Sequence, residues 1–216
     1  MVDFEFERNS LVDDLKMRGY VTSKAVEDAM RRVPREEFLP ADLREEAYVD
    51  SPLPIGEGQT ISAPHMVAIM AENLDLKTGQ KILEVGTGSG YHAAVCAEVI
   101  APDGHIYSIE RITSLASFAE DNLKRTGYAK LVTVILGDGS KGLPDHAPYD
   151  RIFVAAGAPE VPSPLTAQLA HGGKLLVPVG TRWYQDLIRV TRQGAKLEKE
   201  NLGGCVFVPL VGEYGH

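Results

Sequence analysis

Glu84, Gly86, Gly88 and Gly90 stand where two apolar segments meet, in the run Ile82-Leu83-Glu84-Val85-Gly86-Thr87-Gly88-Ser89-Gly90-Tyr91. This pattern reads as a buried strand, a tight turn and the start of a helix. Glycine lacks the Cβ that would hold a bound molecule off the main chain, so the turn suits a cofactor lying directly on backbone. Position 91 is Tyr, so the G-x-G-x-x-G spacing of dinucleotide enzymes is not met. Glycine-rich turns also arise for structural reasons alone, and the run does not settle the matter by itself.

Two more acids extend the argument. Glu110 lies 24 residues beyond Gly86 and closes a second apolar run. A carboxylate there can accept both hydroxyls of a ribose. Asp138, between Gly137 and Gly139, closes a third run and suits a hydrogen bond from an adenine amino group. Taken singly, each acid could be a turn former or a solvated carboxylate. Three acids at three successive strand ends are hard to explain by packing. A pyrophosphate would call for donors and positive charge. S-adenosylmethionine carries a sulfonium, an ammonium and one carboxylate, which suits acidic residues beside a helix N-terminus.

Ser62 is the other candidate for chemistry, in Gly56-Glu57-Gly58-Gln59-Thr60-Ile61-Ser62-Ala63-Pro64-His65. Just ahead of Pro64, its hydroxyl reads either as a plain helix N-cap or as part of a carboxylate receptor at a helix start. His92, His105, His146, His171 and His216 have no metal-like spacing and read as solvated or capping residues. Trp183-Tyr184 reads as a loop anchor, and G-x-S-x-G is absent.

The elements that must position these groups follow from periodicity. Residues 8–18 carry Leu11, Val12 and Leu15 at helical spacing and stop at Gly19. A second helix, capped by Thr22 or Ser23, has Val26, Ala29, Met30 and Val33 on one face and ends at Pro34. Residues 40–64 hold four prolines and two glycines, too long a stretch for an ordinary connection. Helix 64–75 follows, with Met66, Ile69, Met70 and Leu74 as its expected buried stripe. From residue 80, strands alternate with helices. Strands are expected at 82–85, 106–109, 132–136, 151–155 and 174–179; helices at 91–100, with Ala94, Val95 and Val99 inward, at 113–125 and at 165–169. Then the alternation fails, and 187–191 and 205–209 read as a closing strand pair. The expectation is an α/β fold: a doubly wound, mostly parallel seven-stranded sheet with an antiparallel edge and an N-terminal helical extension. Residues 1–216 are expected to form a single domain, with 1–64 as extension and substrate-side segment and 65–216 as cofactor-binding core.

Composition narrows the class. The 216 residues are 44% hydrophobic and 24% charged, enough for an ordinary core. A net charge of -8 argues against broad binding to phosphate backbones. Cys96 and Cys205 sit far apart in apolar surroundings and read as free buried thiols of a reducing cytoplasm. The acidic start from Met1 to Glu7 lacks the shape of a signal peptide, and no apolar run approaches the roughly 18 residues of a membrane span.

These motifs together resemble the protein-L-isoaspartate (D-aspartate) O-methyltransferase family. Glu84 followed by G-x-G-x-G resembles the first motif of S-adenosylmethionine-dependent methyltransferases at large, and Gln59-Thr60-Ile61-Ser62 resembles a block of this family alone. The likeness continues through Val33 to Phe38, Gly137-Asp138-Gly139, Pro148-Tyr149-Asp150, Ala155 to Pro159 and Pro178-Val179-Gly180. It implies a class I, Rossmann-like methyltransferase fold, with Ser62 as the active-site serine. Thr60, His65, Glu84, Gly86, Gly88, Glu110, Asp138 and Gly139 would hold S-adenosylmethionine, with no metal. Two departures stand out: Glu at 84 where Asp is frequent, and a short tail after Val208-Pro209-Leu210. The implied substrate is an L-isoaspartyl (or D-aspartyl) residue of a damaged protein or peptide, flexible enough for residues 40–64 to close over it. The implied protein is a cytoplasmic monomer that engages neither nucleic acid nor membrane.

Methylating a carboxylate needs no general base, because a pKa of about 4 leaves it ionised. Positioning is the main task and can supply about 7–11 kcal/mol. Two other readings compete: a methyltransferase acting on RNA or a small molecule, and a non-catalytic module that keeps the cofactor fold to bind a protein. The acidic balance opposes the first, and the intact Ser62, His65 and strand-end acids oppose the second.

Overall fold

In the computed structural model, which describes residues 2–216, Lys81–Val85 (β3) is an interior strand of a seven-stranded sheet. Residue 1, part of the expected domain, lies outside the described residues. Ahead of the sheet come helices Phe4–Met17 (α1) and Lys24–Arg32 (α2), an antiparallel hairpin of Leu53–Gly56 (β1) and Gln59–Ile61 (β2), and helix Pro64–Leu74 (α3). After β3 follow Tyr91–Ile100 (α4), His105–Glu110 (β4), Thr113–Thr126 (α5), Val132–Leu136 (β5), Tyr149–Val154 (β6) and the short Ser163–Ala167 (α6). Leu169–Gly180 (β7), Gln185–Gln193 (β8) and Lys196–Cys205 (β9) complete the chain's regular structure.

The strand order is β5-β4-β3-β6-β7-β8-β9; the first five run parallel and the last two antiparallel. The expected doubly wound sheet with an antiparallel edge is therefore present. The chain builds outward from β3 to β4 and β5, then returns to β3's other side as β6. That reversal leaves a crevice beyond the carboxyl end of β3, where ligands of such sheets bind.

Alternation along the strands sends successive side chains into two cores. Ile82, Ile106, Phe153 and Leu176 face one cluster, which runs on through Leu11 and Leu15 of α1, Met30 of α2 and Met70 of α3. Leu83, Val85, Ile152, Val154, Leu175 and Val177 face the other, with Leu165 of α6 and Leu210 of the tail. Because the N-terminal helices share the first cluster with the sheet, the segment before residue 64 packs as part of the same body.

The final strand is Lys196–Cys205, not 205–209. Its residues from Lys196 to Gly204 stay largely in solvent, so no apolar alternation marks it, and only pairing with β8 makes it a strand. The apolar residues after it have another use: Gly157 donates to the Val208 carbonyl at 2.7 Å and accepts from Leu210 N–H at 2.8 Å. That laces the tail across the sheet's end. On α3, Met66 and Ile69 are only half-buried, while Val67, Ala68, Met70, Ala71 and Leu74 are buried. The helix is packed between α2 and strands β6 and β7, so its apolar surface is broader than one stripe. Val99 is likewise half-buried. Trp183 is 86% exposed and anchors nothing.

Candidate active site

The chain's turn after β3 is left-handed at Gly86 and Gly90, with φ of 93° and 86°. Side chains other than glycine rarely adopt this conformation, which explains their spacing. Gly139 is constrained differently: a Cβ there would sit 2.6 Å from Val85 Cγ1. These turns border a cavity of about 950 Å³, mouth included. Its floor is the sheet end from Glu84 to Ser89 with Ile109 to Ile112, and its walls are Gln59 to Ser62 and Val208 to Val211.

Glu110 organises the floor. Its Oε2 accepts from Gly88 N–H at 2.9 Å, and Oε1 accepts from Arg111 and Ile112 N–H at 2.8 and 3.0 Å. One carboxylate thus orients the glycine turn and the exit of β4 while still bordering the cavity.

Glu84 is fully buried. Its in-register neighbours are Ser108 on β4 and Phe153 on β6. Ser108 Oγ hydrogen-bonds Glu84 Oε2 and lies 2.6 Å from Thr87 Oγ1. Oε1 has no partner. Burial pushes the Glu84 carboxyl up to about 8. An unpaired buried oxygen beside a cavity is a site prepared for a cation or a hydrogen-bond donor.

Ser62 lies between β2 and α3, half-buried and on the cavity wall. It is not the helix N-cap. That position is Ala63, which has no side-chain cap, and Asp50 serves from outside by accepting His65 N–H at 2.9 Å. The Ser62 hydroxyl makes no hydrogen bond among the described residues and is available to a ligand.

Of the residues expected to meet a cofactor, Thr60, Ser62, Glu84, Gly86, Gly88, Glu110 and Gly139 all border this cavity. His65 and Asp138 do not. His65 is held by Asp50, with its ring 5.6 Å from that of Tyr20. Asp138 accepts from Ser140 N–H at 3.0 Å, Ser140 Oγ at 2.6 Å and Glu213 N–H at 3.0 Å, so it ties down the C-terminal tail.

The sequence reading missed His92. It is only 6% exposed, borders the cavity and packs its ring 4.4 Å from that of Phe153. A signal for this existed: α4 reads Tyr-His-Ala-Ala-Val-Cys-Ala, apolar on every side, and a helix of that kind is buried all round. Cys96 and Cys205 are free and buried, as expected. Among the described residues, no group of three or more His, Cys, Asp or Glu side chains is placed to hold a metal.

Comparison with known proteins agrees with this geometry. Residues 6–215 match the family model described as protein-L-isoaspartate(D-aspartate) O-methyltransferase. A protein-L-isoaspartate O-methyltransferase of Methanopyrus kandleri is 58% identical over 213 residues, covering 98% of this chain and 94% of that one. One from Hyperthermus butylicus is 58% identical over 221 residues, covering 98% and 91%. A Plasmodium falciparum structure described under the same activity, in complex with S-adenosyl-L-homocysteine, superposes with a TM-score of 0.85 at 30% identity, covering 94% of this chain and 98% of that one.

Proposed function

This chain belongs to the protein-L-isoaspartate O-methyltransferase family, and from that premise we propose how its cavity performs the family's reaction. The enzyme transfers a methyl group from S-adenosylmethionine to the free carboxylate of L-isoaspartyl residues in damaged proteins and peptides, which initiates their repair. The residues present fit that cofactor: Glu84 has a buried oxygen without a partner, and Glu110 and Gly139 border the cavity. When bound, S-adenosylmethionine supplies an electrophilic methyl on a positively charged sulfur.

What the chain itself contributes is binding and alignment. Glu84 accepts a hydrogen bond from the cofactor's cationic end, and its buried carboxylate balances that charge. Glu110 takes a ribose hydroxyl with the Oε2 lone pair that its three backbone donors leave free. Gly86, Gly88 and Gly139 let the cofactor approach the main chain, and Thr60 borders it from the hairpin. Ser62 donates its hydroxyl to the isoaspartyl carboxylate and turns one oxygen toward the methyl. It orients and does not attack, since an ionised carboxylate is already the nucleophile. His65 and Asp138, expected at the cofactor, act instead through the segments they hold. The single observation that carries this reading is one cavity bordered both by a hydroxyl without a partner, Ser62, and by a buried carboxylate with a free oxygen, Glu84.

The same reading takes residues 1–216 as a single domain, a cytoplasmic monomer whose partners are isoaspartyl proteins and peptides, with D-aspartyl residues as a further substrate and no nucleic-acid target. Among the described residues no helix is long and apolar enough to cross a membrane. Incubation with methyl-labelled S-adenosylmethionine tests the proposal. Alkali-labile label should enter an isoaspartyl peptide and not its normal aspartyl twin. Label in RNA, or tight cofactor binding with no transfer, would overturn it.

A further inference from the structure

His92 is a buried histidine with neither ring nitrogen partnered. Burial of an imidazole without a hydrogen bond is costly unless something absent from the protein chain supplies the partner. It borders the same cavity as Glu84 Oε1, the other unpartnered buried atom there. The two are close neighbours in the fold. The His92 ring packs, tilted, 4.4 Å from that of Phe153, and Phe153 is the strand neighbour of Glu84 in register, so both side chains lie on the helix-covered face of the sheet. Cys96, one turn along from His92 on α4, has its thiol raised by burial and then by the Glu84 carboxylate, which brings the same helix face near that acid.

The donors and acceptors are complementary to a zwitterion. Glu84 Oε1 can only accept when ionised and suits an ammonium. His92 is in the first turn of α4, behind the N-cap Gly90, where the helix favours an anion. Burial pushes its imidazole down to about 3, so it is neutral at working pH, offers one N–H and adds no positive charge beside a cationic cofactor.

We infer that His92 is a cofactor-binding residue: one ring N–H donates to the amino-acid carboxylate of S-adenosylmethionine while Glu84 Oε1 accepts from the adjacent ammonium. This rests on the cofactor assignment above and adds a residue to it. The role is specific to one end of the ligand, and that makes it separable from packing.

Titration calorimetry of the wild type, His92→Leu and His92→Gln with two ligands tests it. S-adenosylhomocysteine keeps the carboxylate, and S-adenosyl-3-thiopropylamine keeps the amine but lacks the carboxylate. His92→Leu should weaken S-adenosylhomocysteine by about 10- to 100-fold, as loss of one hydrogen bond to a charged group does, and leave the thiopropylamine within about twofold. His92→Gln, which retains a donor, should recover most of the lost affinity. Ligand-free His92→Leu should melt no lower than wild type, because an apolar side chain replaces an unsatisfied polar one. Equal weakening of both ligands, or no weakening of either, would overturn the assignment. If the wild type itself fails to bind S-adenosylhomocysteine, it is the cofactor reading that falls.

Discussion

Asp50 Oδ1 accepts two hydrogen bonds from His65, one from the backbone N–H at 2.9 Å and one from ring Nδ1–H at 2.8 Å. Its Oδ2 accepts from Arg18 Nη1 at 2.8 Å. A carboxylate fifteen residues upstream thus caps α3 and fixes the tautomer of His65, three residues after Ser62, and it also tethers the end of α1 at Arg18. The serine is thereby relieved of the capping task that its position suggests.

Asp50→Ala should destabilise the fold by about 1 kcal/mol, the usual cost of a lost cap, and lower turnover on isoaspartyl peptide. Although burial works in the opposite direction, the hydrogen bonds from His65 hold the Asp50 carboxyl below its ordinary range. A lowered folded-state pKa means the stabilisation is present above the ordinary carboxylate value and fades as pH falls through the lower folded one. Thermal melts from about pH 7 to about pH 3 should therefore show wild type and variant converging in acid. A constant gap would mean that the cap does not titrate.

Ser62→Ala should reduce kcat by about 10- to 100-fold, the effect of losing one hydrogen bond to a charged group, and leave S-adenosylhomocysteine affinity and melting temperature nearly unchanged. The melting temperature is informative because Ser62 caps nothing here. Parallel loss of kcat and cofactor affinity would place the hydroxyl on the cofactor instead of the substrate.

The Glu84 carboxyl, pushed up to about 8 by burial, is mostly protonated in the free protein at pH 7. Binding a cationic ligand end favours the ionised form. Cofactor binding near neutral pH should then release up to about one proton, seen as buffer-dependent binding heat in phosphate and Tris. Glu84→Gln should abolish that dependence. Since the folded pKa is raised, the ligand-free protein should also lose stability as pH rises from about 4.5 toward 8, and Glu84→Gln should flatten this limb. Heat independent of buffer in the wild type would show that Glu84 keeps its proton state on binding.

Asp138→Ala removes the acceptor for Glu213 N–H and frees Ser140 Oγ, which itself accepts from Tyr214 N–H at 3.1 Å. Amide hydrogen exchange at Glu213 and Tyr214 should accelerate markedly, because exposed tails open at low cost. The Lys141–Glu213 ion pair is exposed on both sides and will not compensate. Unchanged exchange would mean that the lacing of Gly157 to Val208 and Leu210 holds the tail by itself.

By itself, the sequence determined the parallel part of the sheet and the glycine turn, because buried strands and left-handed glycines leave local marks: 82–85 and 132–136 were legible to within a residue of Lys81–Val85 and Val132–Leu136. It also determined that acids stand at the ends of β3 and β4. Tertiary structure alone decided the rest. Edge strand Lys196–Cys205 carries no apolar period because its residues up to Asn201 stay in solvent and pair only with β8 among the strands. Asp138 turned to the tail and His65 to Asp50, since a carboxylate or imidazole takes whichever partners long-range packing brings within reach. His92 became a cavity residue because α4 was buried on every side. Spacing records where a side chain can stand along the chain; only the folded neighbours set what it touches.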